Sequence, residues 1–368
     1  MAALVLARAG VSVTVLDRAV FPRDKLCGDS VNPGAMALLA RHGLAAEVEG
    51  CALPVSGMLV TGPGGAAVRA LYPAGVLGRS ILRRDLDARL LEAAIREGAR
   101  VEQGVRVASA LVDGAHGAQR VTGVLLQSRA GTVARPARVV IGADGRHSSL
   151  AFALGLARHP RRPRRWAIGA YFAGVKDLSA LGEMHVRRGH YIGVAPVPDG
   201  LANACLVVPE ARARAIGLAS AHALEHVLRG DEQLGARFHH ARRATPVTML
   251  GPLAVDAGSA GLEGLLLAGD AAGFIDPMTG DGLRLAMHGG ELAAAAALET
   301  LEGRVSAHVR LAERRREALG GKLRVNRLLR TLVAAPAGVS LAAAATKVWP
   351  DLLNPVVCYA GDVHLSSS

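Results

Sequence analysis

Lysine is nearly missing from this chain: only four of its 43 basic residues are lysine, and the rest are arginine. Aromatic residues are sparse too, at 3% of 368 positions, and no basic run is interleaved with them. Proteins that hold nucleic-acid strands stack bases on aromatic rings beside a basic groove, so the formal charge of +12 argues for a positive field without a nucleic-acid partner. Cysteine is scarce and scattered. Cys27, Cys51, Cys205 and Cys358 show neither CxxC nor metal spacing, which argues against a disulfide framework and for reduced thiols in a cytoplasm. His239 and His240 have no further partner at metal spacing, so no metal site is expected. Hydrophobic content is 51%, yet no run of 18 apolar residues is free of charge, so no spanning helix is predicted. The opening MAALVLARAG lacks a basic region ahead of its apolar part and is broken by Arg8, which excludes a secretory signal. The length suits one large domain or two modest ones.

The most informative stretch is 265–295, LLLAGDAAGFIDPMTGDGLRLAMHGGELAAA. It begins as a short apolar run of the kind that forms a buried parallel strand. Gly269 and Asp270 put a carboxylate where that strand ends, a turn-rich loop with Pro277, Gly280 and Gly282 follows, and an Ala/Leu-rich helix pattern runs on to about residue 298. A carboxylate accepts hydrogen bonds from hydroxyls, while loop amides and a helix N-terminus face negative charge. The order therefore suits a ligand that carries both.

The string GDAAGFIDPMTGDG resembles the second FAD fingerprint of flavoproteins with the p-hydroxybenzoate hydroxylase fold, and within them the geranylgeranyl-reductase-type branch. The resemblance implies that Asp270, beside Gly269, binds the ribityl chain of FAD. It further implies that Pro277, Gly280, Asp281 and Gly282 run along the isoalloxazine ring, with the following helix aimed at its pyrimidine edge.

Taken in order, the first ten residues read as the last turns of a helix stopped by Gly10, and VSVTVL (11–16) as a strand ended by Asp17. An acidic residue closing the second strand of a dinucleotide-binding unit holds ribose hydroxyls, and Asp17 fits that place. In the resembling family a first strand and a GxGxxG loop precede this helix. Their absence from the sequence leads to the expectation of a late start codon or a truncated protein, with two strand edges exposed. FPRDKLCGDSVN (21–32) resembles the family's PRxKxCG segment, which lies against the FAD. By residue type, Arg23 and Lys25 suit a pyrophosphate and Gly28 permits close backbone approach. The resemblance puts Cys27 near the flavin. Residues 51–78 read as strands of a second sheet.

Residues 83–97 form a helix with one apolar face (Leu86, Leu90, Leu91, Ala94). Its RxxLD opening resembles the family helix whose arginine, here Arg83, reaches the FAD phosphates. Residues 101–133 alternate as in a β-meander. After a further strand, GADGRHSS (142–149) resembles the family's GADGxxS segment, which implies flavin and NAD(P)H contacts for Asp144 and Gly145. The basic run 158–165 marks a crossing into a substrate domain of strands and one helical stretch (212–234), where His190 and Tyr191 are candidates to face a substrate. The branch's YxWxFP sequence has no counterpart here, and APVPDG (195–200) instead resembles the PLPDG hairpin of aromatic hydroxylases. Basic helical residues 304–330 precede the apolar 331–349, a pairing that suits helix packing on the FAD domain or peripheral contact with a membrane.

The expected fold is α/β: a Rossmann-like, glutathione-reductase-type FAD domain (1–50, 79–157, 247–300), an inserted β-rich substrate domain (51–78, 158–246) and a C-terminal helical region (301–368). The expected function is NAD(P)H-dependent, FAD-mediated reduction or hydroxylation of a lipophilic or polycyclic small molecule, with no catalytic side chain named. Its competitor is a degenerate flavoprotein that binds without catalysis.

Overall fold

The computed structural model describes residues 1–115, 119–128, 131–161, 164–216, 220–334, 344–345 and 354–363. The apolar stretch expected to pack or touch a membrane, 331–349, lies largely outside them, as does part of the basic run 158–165.

Two short parallel pairs form the floor of the first half. Thr14–Asp17 pairs with Arg100–Gln103, and Val140–Gly142 pairs with Leu265–Leu267, whose other edge takes the antiparallel Gly261–Leu262. The two pairs do not hydrogen-bond to each other, so one edge of Thr14–Asp17 and one of Val140–Gly142 are open among the described residues. The strand Leu265–Leu267 is buried on both faces, as a near-continuous apolar run requires. One face is covered by the helices Ala2–Arg8, Gly282–Leu301 and Ala307–Ala334. Small residues let them approach closely: Ala293, Ala294, Ala296 and Ala297 are fully buried, and a Cβ on Gly290 would stand 3.2 Å from that of Met1. The other face meets an antiparallel meander of Arg106–Asp113, Arg120–Ser128 and Gly131–Pro136. The alternation in 101–133 predicted this meander.

The second half is an eight-stranded sheet. Its main path runs Arg242–Arg243, Arg165–Ala173, Leu201–Pro209, His190–Val197, Leu181–Arg187, Gly57–Thr61, Ala67–Leu71. The last two strands, from 51–78, join this sheet through a parallel pairing with Leu181–Arg187. One face packs on the helices Glu210–Ile216, Ser220–Gly230 and Gly235–Phe238 around Phe172, Leu224 and Phe238. The opposite face, with Ala167, Met184, Val186, Tyr191 and Val207, turns toward Leu26, Phe274 and Met278 of the first half. Segments nearly 250 residues apart in the sequence are thereby pressed against one sheet face. Among the described residues no helix is long and apolar enough to cross a membrane.

Candidate functional site

The helix Arg83–Arg96 begins at the edge of the first half, and Arg83 is bound along its first turn to Asp87, at 2.8 and 2.9 Å. Arg23 pairs with the same carboxylate at 3.0 Å. Lys25 sits two residues on, within electrostatic reach of Arg83, Asp87 and Asp270. Asp270, in the tight turn Gly269–Ala272 that ends Leu265–Leu267, interacts with Lys25, Arg146 and Arg83. Four cations thus gather around two carboxylates in a half-buried setting. Burial, and next to it the charge of Arg83, lower the affinity of Lys25 for its proton. Burial raises the Asp270 carboxyl against the pull of the three cations, and burial lowers Arg146, whose Nε has no hydrogen-bond partner. Arg83 stays firmly charged: Cys27 and Asp87 outweigh the effect of its burial. A surplus of two positive charges, with an orphaned guanidinium nitrogen among them, fits a dianionic pyrophosphate. Asp270, in the same cluster, offers an acceptor to hydroxyls.

The candidates from the sequence do not all converge on this cluster. Arg23, Cys27, Arg83 and Asp270 do, with the Cys27 sulfur in reach of the Arg83 guanidinium. Gly28 is exposed and Gly269, at φ +59°, makes the turn that presents Asp270. Asp17 closes its strand and accepts from the amide of Ala19 at 2.8 Å. Asp144 turns back to the amide and hydroxyl of Ser149, at 2.7 and 3.2 Å, while Gly145 (φ +83°) swings the chain so that Arg146 reaches Asp270. Pro277 opens a single 3-10 turn, Pro277–Thr279, ended by the left-handed Gly280. Asp281 stands where a helix cap would, but its carboxylate is fully buried and takes the Asn32 amide and Lys322 ammonium, each at 2.9 Å. It locks Gly282, the first residue of Gly282–Leu301, onto two other helices. His190 makes its contacts with Arg188 and Arg212 rather than facing the cluster, and His239 and His240 stack edge-on 4.4 Å apart.

Residues that the sequence reading did not single out tie the two halves together. Asp276 accepts from the Tyr191 hydroxyl at 2.6 Å and from the amide of Met278 at 3.1 Å, and pairs with Arg165 at 3.3 Å. Asp29, two residues beyond Cys27, is fully buried in a left-handed conformation (φ +52°). It accepts from the Tyr171 hydroxyl at 2.7 Å, the Arg83 amide at 3.2 Å and the side chain of Asn203, which also holds the Cys27 carbonyl. Burial pushes the Asp29 carboxyl up to about 6 against these hydrogen bonds, and burial with the nearby Asp29 charge raises the Tyr171 hydroxyl. The only hint in the sequence is the position of Asp29 directly after the CG of FPRDKLCGDSVN. No pattern could have paired it with Tyr171, 142 positions away.

Residues 1–319 match the FAD binding domain family. The chain belongs to that family. The menaquinone reductase of Mycobacterium tuberculosis is 30% identical over 305 residues, covering 78% of this chain and 71% of the relative. Digeranylgeranylglycerophospholipid reductase 2 of Methanopyrus kandleri is 27% identical over 315 residues, covering 82% of this chain and 74% of the relative. Conditioned medium factor receptor 1 of Dictyostelium discoideum is 29% identical over 334 residues, 82% of this chain, which spans only 62% of that protein's length. Among solved structures, a flavin-dependent brominase superposes with a TM-score of 0.84 at 19% identity, covering 98% of this chain and 90% of the other. The myxobacterial chondrochloren halogenase follows at 0.82 and 22%, covering 99% and 87%. At such identities the structural likeness shows the fold: the Rossmann-like architecture expected from the sequence. Family and relatives together place the chain among FAD-dependent oxidoreductases.

Proposed function

We propose that this chain is an NAD(P)H-dependent flavoenzyme that reduces a carbon–carbon double bond in a lipophilic small molecule. The observation that carries the reading is the surplus of positive charge around Asp270, formed by Lys25, Arg83 and Arg146, beside an apolar sheet face. In this reading Lys25, Arg83 and Arg146 hold the pyrophosphate of FAD, Asp270 takes ribityl hydroxyls and Asp17 ribose hydroxyls. Bound FAD would supply hydride transfer. Ala167, Met184, Val186 and Val207 would exclude water from the substrate side. A double bond that gains hydride at one carbon needs a proton at the other. No side chain is assigned to that proton, since the Tyr171 hydroxyl, raised by burial and by Asp29, holds its own. The relatives named for a quinone and for a geranylgeranylated glycerophospholipid support a lipophilic substrate.

A second reading, hydroxylation, is favoured by one feature: the APVPDG hairpin, where Asp199 and Gly200 both take positive φ between Val197 and Leu201. Oxygen uptake separates the two. The reductase reading expects NAD(P)H oxidation with a hydrogenated product in the absence of oxygen. Oxygen consumed in step with NAD(P)H, giving an oxygenated product, establishes hydroxylation instead. A chain that takes up no FAD and oxidises no NAD(P)H is the non-catalytic binding protein.

A further inference from the structure

A cavity of about 600 Å³ lies behind the 269–282 loop, between residues 254–260 and the helices Gly282–Leu301 and Ala307–Ala334. That volume is within the range of small-molecule sites, roughly 300–1,000 Å³. Its wall mixes polar and apolar groups, with Val255, Phe274, Leu285, Leu319 and Leu323 among the apolar ones. Into it the helix Ala307–Ala334 brings Arg315, half-buried. On this helix Arg310 and Arg314 pair with Glu299, and Lys322 pairs with Asp281 and Asp362, while the adjacent Arg316, also at the cavity wall, is exposed. Arg315 has no ion pair among the described residues, and its one hydrogen bond goes to the Ala272 carbonyl at 3.0 Å. Three of the carboxylates at the cavity wall are engaged elsewhere: Asp270 with Lys25, Arg83 and Arg146, Asp276 with Tyr191 and Arg165, and Asp281 with Asn32 and Lys322. The fourth, Asp256, is exposed. Facing Arg315 the opposite helix carries Gly289, where a Cβ would come within 3.4 Å of the guanidinium. The chain thus leaves room beside a part-buried cation that has no ion pair among the described residues. Such an arrangement is costly unless an anion completes it.

We infer that this cavity binds an anionic amphiphile, with one carboxylate or phosphate on Arg315 and a hydrocarbon body along Phe274, Leu285, Leu319 and Leu323. The inference goes beyond the flavin reading and does not need it, because Lys25, Arg83 and Arg146 do not line the cavity, although Asp270 does.

The test is calorimetric titration of the purified chain with dodecanoate, dodecyl phosphate and dodecanol, all below their micelle concentrations. Saturable one-site binding of both anions is expected, with dodecanol weaker by about 10- to 100-fold, the range of a hydrogen bond to a charged group. Arg315→Leu should bring the anions down to the level of the alcohol. Ala312→Trp, which fills the cavity and keeps the charge, should abolish binding of all three. Equal affinity for dodecanoate and dodecanol in the unaltered chain overturns the inference, even where a variant does not fold. Anion binding that survives Ala312→Trp also overturns it, because the site is then on the basic surface. Absorbance near 450 nm in the same samples reports flavin separately, so loss of the flavin reading and loss of this one are distinguishable.

Discussion

Replacing Asp29 with asparagine should change how stability depends on pH. The carboxyl is fully buried, and its proton affinity is raised from the ordinary 3.8 to about 6. A group held more tightly protonated in the folded chain contributes stability that is fully present below the unfolded value and is lost as pH rises through the folded one. The window is therefore about pH 4 to 6, and a shift from 3.8 to about 6 corresponds to about 3 kcal/mol, roughly 2.5 of it between about pH 4 and about pH 7.5. The asparagine of the variant would not titrate. Its amide would face the donor of Asn203 and cost stability, but by the same amount at every pH. The quantity to measure is the difference in unfolding free energy between the native chain and Asp29→Asn, by urea denaturation at a series of pH values. The native chain should lose about 2.5 kcal/mol relative to the variant from the acid end to the neutral end. A flat difference would mean that the Tyr171, Asn203 and Arg83 hydrogen bonds cancel the burial. A difference that grows in favour of the native chain would mean that they overcome it. Either result refutes the reasoning and with it the raised proton affinity of Asp29.

Three further outcomes follow from the same geometry. Lys25→Met should weaken FAD binding by tenfold or more, because one charged contact to a phosphate is lost, while leaving urea stability unchanged or higher, because Lys25 is crowded by Arg83. Equilibrium titration of flavin fluorescence and a urea curve check both halves. Lys322→Met leaves the buried carboxylate of Asp281 without its ammonium and should cost about 3 kcal/mol by urea denaturation, with the start of Gly282–Leu301 loosened. Gly264→Ala should lower stability by at least about 2 kcal/mol, because the residue has φ +80° and a Cβ would stand 2.0 Å from the Val121 carbonyl. A melting temperature unchanged by that substitution would show that the turn into Leu265–Leu267 is not held as described.

Local order was largely legible in the sequence. The apolar run 265–267, the turn glycines and the Ala/Leu pattern announced a strand, a loop and a helix because each has its own period and punctuation, and the structure places Leu265–Leu267 and Gly282–Leu301 there. The meander and the helix Arg83–Arg96 were readable for the same reason. Pairings between distant segments were not. Nothing local joins Gly57–Thr61 to Leu181–Arg187, since strand partners are chosen by the burial of a whole face. In the candidate site, residues at the ends of recognisable elements were found, but the direction of their side chains was not. The resemblance set Asp281 along the isoalloxazine ring, whereas its carboxylate is fully buried between Asn32 and Lys322, which come from segments 249 and 41 positions away. Asp144 and Arg146 are two positions apart, and the positive φ of Gly145 decides which of them reaches Asp270. Asp29 required the fold itself, since its partners come from a helix and a strand more than 50 residues away.

The central claim is that the cations around Asp270 hold a flavin dinucleotide. The most direct test is the visible spectrum of the purified chain, recorded before and after addition of FAD and again after gel filtration, beside a Lys25→Met, Arg146→Gln double variant. The account predicts flavin bands near 450 nm that travel with the native chain and are lost from the variant, while both keep the same far-ultraviolet circular dichroism. A native chain that stays colourless after FAD is added, or a variant that retains flavin as tightly as the native chain, would contradict it.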